Sequence, residues 1–209
     1  MGMLKLLGAQ ARRPTGRLGR LFARSMNSGH GPITRWGLSH VSIRNHDRVL
    51  DVGCGGGKTI HTVAGMVTGG TVYGIDYSED SVAVATSVNR KYIDAGRVEI
   101  SVASVEALPF PDDSFDLVTA VETYYFWPDI VQTLREIRRV LIPGGVVILI
   151  NEVYSNEKFA KRNEMWARAC GFSCHLPEEF ETFLRDAGYS QVYVDVLEQK
   201  NWISAGGRK

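Results

Sequence analysis

Acidic residues are missing from the first 46 positions, where Lys5, Arg12, Arg13, Arg17, Arg20, Arg24, Arg35 and Arg44 all fall. The formal net charge of +1 hides this asymmetry, because the rest of the chain carries 16 basic against 23 acidic residues, a balance of −7. Cysteine is scarce, with only Cys54, Cys170 and Cys174 in 209 residues. Three cysteines build no disulfide framework, which points to a reducing, cytoplasmic setting. No apolar run approaches the roughly 20 residues that cross a bilayer, and MLKLLGA is too short and poorly flanked for a secretory signal. Repeats and low-complexity tracts are absent too. What remains is a soluble-type composition, 44% hydrophobic and 22% charged, long enough for one well-cored domain.

From residue 47 onward strand and helix patterns alternate. RVLDVG (48–53), TVYGID (71–76), VEISVA (98–103), FDLVTAVE (115–122) and VVILINEVY (146–154) read as buried strands by length and β-branching. Helices are expected over 58–67, 78–96, 128–141 and 176–188; Ser78 is a plausible N-cap of the second, and Gly96 and Gly188 are stops. This alternation implies a parallel sheet covered on both faces. QVYVDVLE (191–198) and NWISAG (201–206) are separated only by Gln199 and Lys200, so they form an antiparallel pair.

The first strand runs into DVGCGGGKT, residues 51–59. Its ending, Gly57–Lys58–Thr59, suits a phosphate-cradling loop, but that loop needs its first glycine at 52, which is Val52. A dinucleotide fingerprint needs a third glycine at 58, which is Lys58. Asp51, Gly53, Gly55 and Gly57 instead spell D-x-G-x-G-x-G. This run resembles the first motif of the class I S-adenosylmethionine (SAM)-dependent methyltransferases. Nineteen residues past Gly57, Asp76 ends the second strand, where the resemblance implies an acid that accepts from both ribose hydroxyls, with Tyr77 beside it.

ASVEALPFPDDSFDLV (103–118) and LREIRRVLIPGGVVIL (134–149) are similar to the methyltransferases related to ubiquinone and menaquinone biosynthesis. The resemblance covers residues 47–209 and implies a Rossmann-like, doubly wound α/β sheet of seven strands, five parallel and closed by an antiparallel C-terminal hairpin. It implies SAM as methyl donor and S-adenosylhomocysteine as product. Ser104 and Val105 would border the adenine, Ser104 standing where the family commonly has Asp. The Glu122 backbone carbonyl would meet the methionine ammonium. The departure at Ser104 keeps a second reading open, a SAM-binding partner or regulatory subunit without turnover.

Methyl transfer from a sulfonium needs positioning more than a protein nucleophile, so the absence of a Ser/His/Asp or Cys/His set is no obstacle. In such folds ligands lie outside the carboxyl ends of the strands, which brings ETYYFWPD (122–129) beside the reacting methyl. Tyr124 and Tyr125 head an aromatic cluster whose faces attract a cation, and Glu152, near Tyr154, borders the acceptor side as a candidate base. The Asn/Asp-Pro-Pro-aromatic signature of nucleic-acid amino methyltransferases is absent, and a body at −7 disfavours a phosphate backbone. A small-molecule acceptor is expected, without nucleic acid. Cys170, Cys174 and His175 lack a second ligand pair, so no metal is assigned.

The basic arm, residues 1–46, precedes a methyltransferase domain at 47–209. Within it Leu18, Leu21, Phe22 and Met26 follow helical spacing while Arg17, Arg20 and Arg24 fall on other sides. In the family this resembles, segments before the first strand often cap the site. Residues 12–40 are thus expected to pack as helices over the carboxyl end of the sheet, the apolar face closing the pocket and the arginines meeting the acidic body. A membrane-surface contact, a targeting segment and a nucleic-acid contact are the other readings.

Overall fold

The computed structural model describes residues 8–209, without the side chains of 26–28; Lys5, at the start of the arm, and the Met26 side chain lie outside the described residues. Residues 8–12 are helical, followed by α1 (Gly16–Gly29) and α2 (Gly31–Leu38). The body then runs β1 (Arg48–Val52), α3 (Lys58–Met66), β2 (Thr71–Asp76), α4 (Glu79–Asp94), β3 (Val98–Val102), β4 (Phe115–Val121), α5 (Ile130–Val140), β5 (Leu141–Asn151), α6 (Ala160–Cys170), α7 (Pro177–Asp186), β6 (Ser190–Leu197) and β7 (Trp202–Arg208). One sheet has the order β3-β2-β1-β4-β5-β7-β6. Its first five strands are parallel, and β7 runs antiparallel to both β5 and β6. This is the seven-stranded arrangement expected from the strand pattern and the resemblance.

Three layers follow from which residues are apolar on both faces of the central strands. One face packs Leu50, Val52, Ile75, Val118 and Leu149 under Leu134 and Ile137 of α5 and Phe180 and Leu184 of α7. The other packs Val49, Val72, Leu117, Ile148 and Ile150 under Ile60 and Val63 of α3, Ala85 of α4, and Ile33 and Leu38 of α2. Helix α2 approaches closely enough that a Cβ on Gly37 would sit 2.5 Å from Ile150 Cδ1. Ser78 caps α4 by accepting from Ser81 N, as its position suggested.

Several boundaries differ from the sequence expectations. Pro143-Gly144-Gly145 does not separate α5 from a later strand, for β5 starts at Leu141 and contains all three. The register against β4 slips there, between Phe115 and Leu117, and Gly144 takes φ 82°, so the strand absorbs the extra residues as a bulge. The β6–β7 turn spans 198–201, two residues longer than read, with Asn201 at φ 59°. Helix α6 had no sequence expectation, because its AKRNEMWARAC lacks an apolar stripe and buries only Asn163 and Cys170.

The arm packs differently from its expected orientation. Helix α1 does not turn Leu18 and Leu21 inward, since they are 47% and 64% exposed. Its buried positions are Gly19 and Ala23, and α1 packs against α4. Small residues let the helix lie close, and Gly19 has Pro14 and Gln10 against it. Arg20 does meet the acidic body, reaching Asp80 at 2.8 Å.

Candidate functional site

The turn after β1 is built around three glycines in left-handed backbone, with φ of 67° at Gly53, 50° at Gly55 and 79° at Gly57. Two of them also lack room for a side chain. A Cβ on Gly53 would collide with Thr123 Oγ1, and one on Gly57 would lie 2.8 Å from Ala85 Cα and Cβ. At Gly55 a Cβ would meet nothing within 4 Å, so the crest of the turn faces open space. The turn is tied to β2 by Cys54 N donating to Ile75 O and Gly55 N donating to Asp76 Oδ2, both at 2.9 Å. Asp76 Oδ1 accepts from Ser78 N at 2.8 Å. One carboxylate thus fixes the glycine turn and the start of α4, and each oxygen keeps acceptor capacity.

A cavity of about 90 Å³ lies above this turn. The body lines it with Asp51, Gly53, Cys54, Gly55, Gly56, Lys58, Thr59, Asp76, Tyr77, Ser81, Val121, Glu122, Thr123 and Phe126. The arm contributes Ala11, Arg12, Pro14, His30 and Thr34. Its backbone is fastened to the rim: Tyr77 Oη donates to Arg12 O, Ser78 Oγ to Pro14 O at 2.6 Å, and Gly16 N to Asp80 Oδ2 at 2.6 Å.

Three carboxyls face the cavity, and among the described residues none is ion-paired with Lys, Arg or His. Burial pushes Asp51 up to about 7, opposed by the hydrogen bond from Thr119 Oγ1 at 2.6 Å and reinforced by Asp76. Asp76 is raised by burial, against the hydrogen bonds from Ser78 and Gly55. Burial, then the nearby Glu152, pushes Glu122 up to about 8. Its Oε1 accepts from Glu152 N and its Oε2 from Tyr125 Oη at 3.4 Å. Glu122 holds a left-handed backbone at φ 58°, the bend that carries β4 into the aromatic loop. Burial lowers the imidazole of His30, and Glu152 opposes that shift.

Asp51, Gly53, Gly55, Gly57, Asp76, Tyr77 and Glu122 therefore gather at one end of the sheet. Ser104 and Val105 follow β3 at the same end but do not line the cavity; Ser104 is exposed, its Oγ donating to Glu106 Oε2 at 3.3 Å. Of the aromatic run, Phe126 lines the cavity. Tyr124 is 1% exposed and packs on Phe180 at 4.9 Å, drawn into the core by its apolar neighbours. Tyr125 stacks on Phe172 at 4.7 Å and is turned toward Glu122. Glu152 lies behind the cavity, coupled electrostatically to Glu122 and His30. His30, Thr34 and Thr119 were not anticipated; no local pattern marks them, and they reach the site only through folding.

These residues fit the cofactor the glycine motif implies. The crest at Gly55 is open, Asp76 has oriented oxygens with spare acceptor capacity, and the unpaired acids suit a ligand bearing a sulfonium and an ammonium. Among the described residues no group of three His, Cys, Asp or Glu side chains is placed to hold a metal.

Residues 50–149 match the family model described as "Methyltransferase domain". The chain is 31% identical over 176 residues to 27-O-demethylrifamycin SV methyltransferase of Amycolatopsis mediterranei, covering 80% of this chain and 64% of that protein. It is 35% identical over 116 residues to the ubiquinone/menaquinone biosynthesis C-methyltransferase UbiE of Geobacter sulfurreducens, covering 55% of this chain and 45% of that one. The chain thus spans less than two thirds of the length of either relative. In fold it is similar to a SAM-dependent methyltransferase from Aquifex aeolicus, with a TM-score of 0.75 at 21% identity over 90% of this chain and 97% of the other. Glycine turn, strand-end acid and strand order converge with the family match: residues 50–149 match a methyltransferase domain, set in the seven-stranded fold of the SAM-dependent methyltransferases.

Proposed function

We propose that the protein transfers the methyl group of SAM to a small-molecule acceptor. The observation that carries this reading is the cavity over an open glycine turn, lined by Asp51, Asp76 and Glu122, which have no cationic partner among the described residues. Bound there, SAM supplies an electrophilic methyl on a sulfonium, with a neutral thioether as leaving group. Asp76 would accept from the ribose hydroxyls and the Gly53–Gly57 turn would admit the ligand against backbone. Asp51 and Glu122 would offset the positive charge. Phe126 presents an apolar ring on the same wall, and the arm residues Ala11, Arg12 and Pro14 exclude water from the rim. Acceleration then comes from holding donor and acceptor in line, worth roughly 7–11 kcal/mol when orientation is complete.

An acceptor that is protonated when bound needs a base. His30 is the best placed: it lines the cavity, burial favours its neutral form, and Glu152 can stabilise the imidazolium formed on accepting a proton. This moves the base role from Glu152 itself to a histidine that Glu152 supports. Tyr125 would hold Glu122 in place, and Tyr124 would buttress the loop. The rifamycin and menaquinone relatives act on small molecules by name, which supports a small acceptor over a nucleic acid.

Calorimetry with SAM and S-adenosylhomocysteine tests the cofactor, and absence of binding by folded protein at millimolar ligand would refute it. Methyl-labelled SAM with a lysate of the source cell, followed by identification of the labelled product, tests transfer. Binding without any labelled product would favour the second reading, a non-catalytic SAM-binding partner, which the departure at Ser104 motivates.

A further inference from the structure

We propose that the outer face of α1 docks on an anionic membrane surface. Helix α1 packs on α4 and buries Gly19 and Ala23, while Leu18 and Leu21 stay 47% and 64% exposed. At 100° per residue, Arg17, Leu21 and Arg24 share one face with Leu18 beside them, and both arginines are exposed. Arg20, at the side, is already committed to Asp80. Among the described residues Arg17 and Arg24 have no ion-pair partner, so the outward surface is leucine flanked by guanidinium groups.

Leu18 and Leu21 form an exposed apolar pair whose burial in a partner surface would be favourable. The charge settles which one. The segment from 1 to 46 has eight basic residues and no acid, so nothing on the arm repels a negative surface. Arginine stems lie along an apolar layer while their heads stay at its polar boundary, which suits the boundary between headgroups and acyl chains. The helix is short and no helix among the described residues is long and apolar enough to cross a membrane, so the contact lies on the surface. The ends of α1 flank the cleft, Arg12 and Pro14 before it and His30 after it. Docking would thus bring the cleft rim to the membrane surface.

The test uses the full chain in flotation with vesicles of phosphatidylcholine alone and of phosphatidylcholine with about a third phosphatidylglycerol. Binding to the anionic vesicles at low salt, lost at high salt and on neutral vesicles, is expected. Leu18→Ser/Leu21→Ser and Arg17→Glu/Arg24→Glu should each lower partition by about tenfold or more. None of these four side chains lines the cleft, so circular dichroism and SAM calorimetry of both variants should match the parent. Absence of binding to anionic vesicles, or binding indifferent to both double variants, overturns the proposal. So does self-association that the leucine pair abolishes, which would assign the face to a second copy. Docking does not rest on methyl transfer: a parent protein that floats but binds no SAM would refute the proposed reaction and leave docking standing.

Discussion

Asp76 holds two backbone N–H groups from different segments, Gly55 and Ser78, with the two oxygens of one carboxylate. Asp76→Ala removes these ties together with the acceptors proposed for the ribose, so SAM affinity should fall by at least about tenfold in calorimetry, with Asp76→Asn intermediate. Asp51 and Glu122 make a different prediction. Their values of about 7 and about 8 stand above those of an unfolded chain. The folded state therefore keeps protons that the unfolded chain has released, and this stability is fully present in acid and lost as pH rises from about 4 toward 8. Thermal melts of ligand-free protein should show stability declining across that window, flattened in Glu122→Gln; a rise instead would show these carboxyls ionised in the fold. Asp76 and the glycines were readable because a tight turn and a strand-end acid leave a local signature. Thr119 meets Asp51 across 68 residues of sequence, and His30 comes from the arm, so no spacing could announce either.

Arg139, at the end of α5, gathers the loop between β3 and β4. It donates to Phe110 O at 2.8 Å and Leu108 O at 3.1 Å and pairs with Asp112 and Glu136, each at 2.7 Å. Glu136 in turn accepts from Leu108 N at 2.8 Å and is held below its ordinary value, chiefly by the hydrogen bond from Arg139. Arg139→Leu would leave two carbonyls and two carboxylates short of a partner. A loss of about 1–3 kcal/mol is expected in chemical denaturation, with faster hydrogen exchange confined to residues 104–114. Unchanged exchange there would show that the loop stands without the arginine. The alternating strands and helices were legible because hydrophobic periodicity carries them. The facing of α1 was not: its most apolar stripe looks like the buried one, yet packing chose Gly19, which Pro14 and Gln10 crowd, and Ala23. Helix α6 buries too little to leave a periodic trace.

At the scale of the molecule, a body with two cores carries an arm that lines its cleft. Deleting residues 1–28 leaves both cores intact but removes Ala11, Arg12 and Pro14 from the rim and the Gly16 and Arg20 contacts to Asp80. The truncated protein should lose only the deleted helices' share of the far-ultraviolet circular dichroism and still melt cooperatively, while losing label transfer and some SAM affinity; full activity would show that the arm takes no part in closing the site. The sheet order has its own consequence for how the molecule comes to exist. Strand β7 follows β6 along the chain yet sits inside it, between β6 and β5, contributing the fully buried Ile203 and Ala205. A polypeptide complete through β6 therefore still presents β5 as a bare edge over an unfinished core, the arrangement most open to pairing with the wrong chain. Assembly cannot proceed strand by strand in the order of synthesis, because β6 joins the sheet only through β7, the hairpin partner made after it.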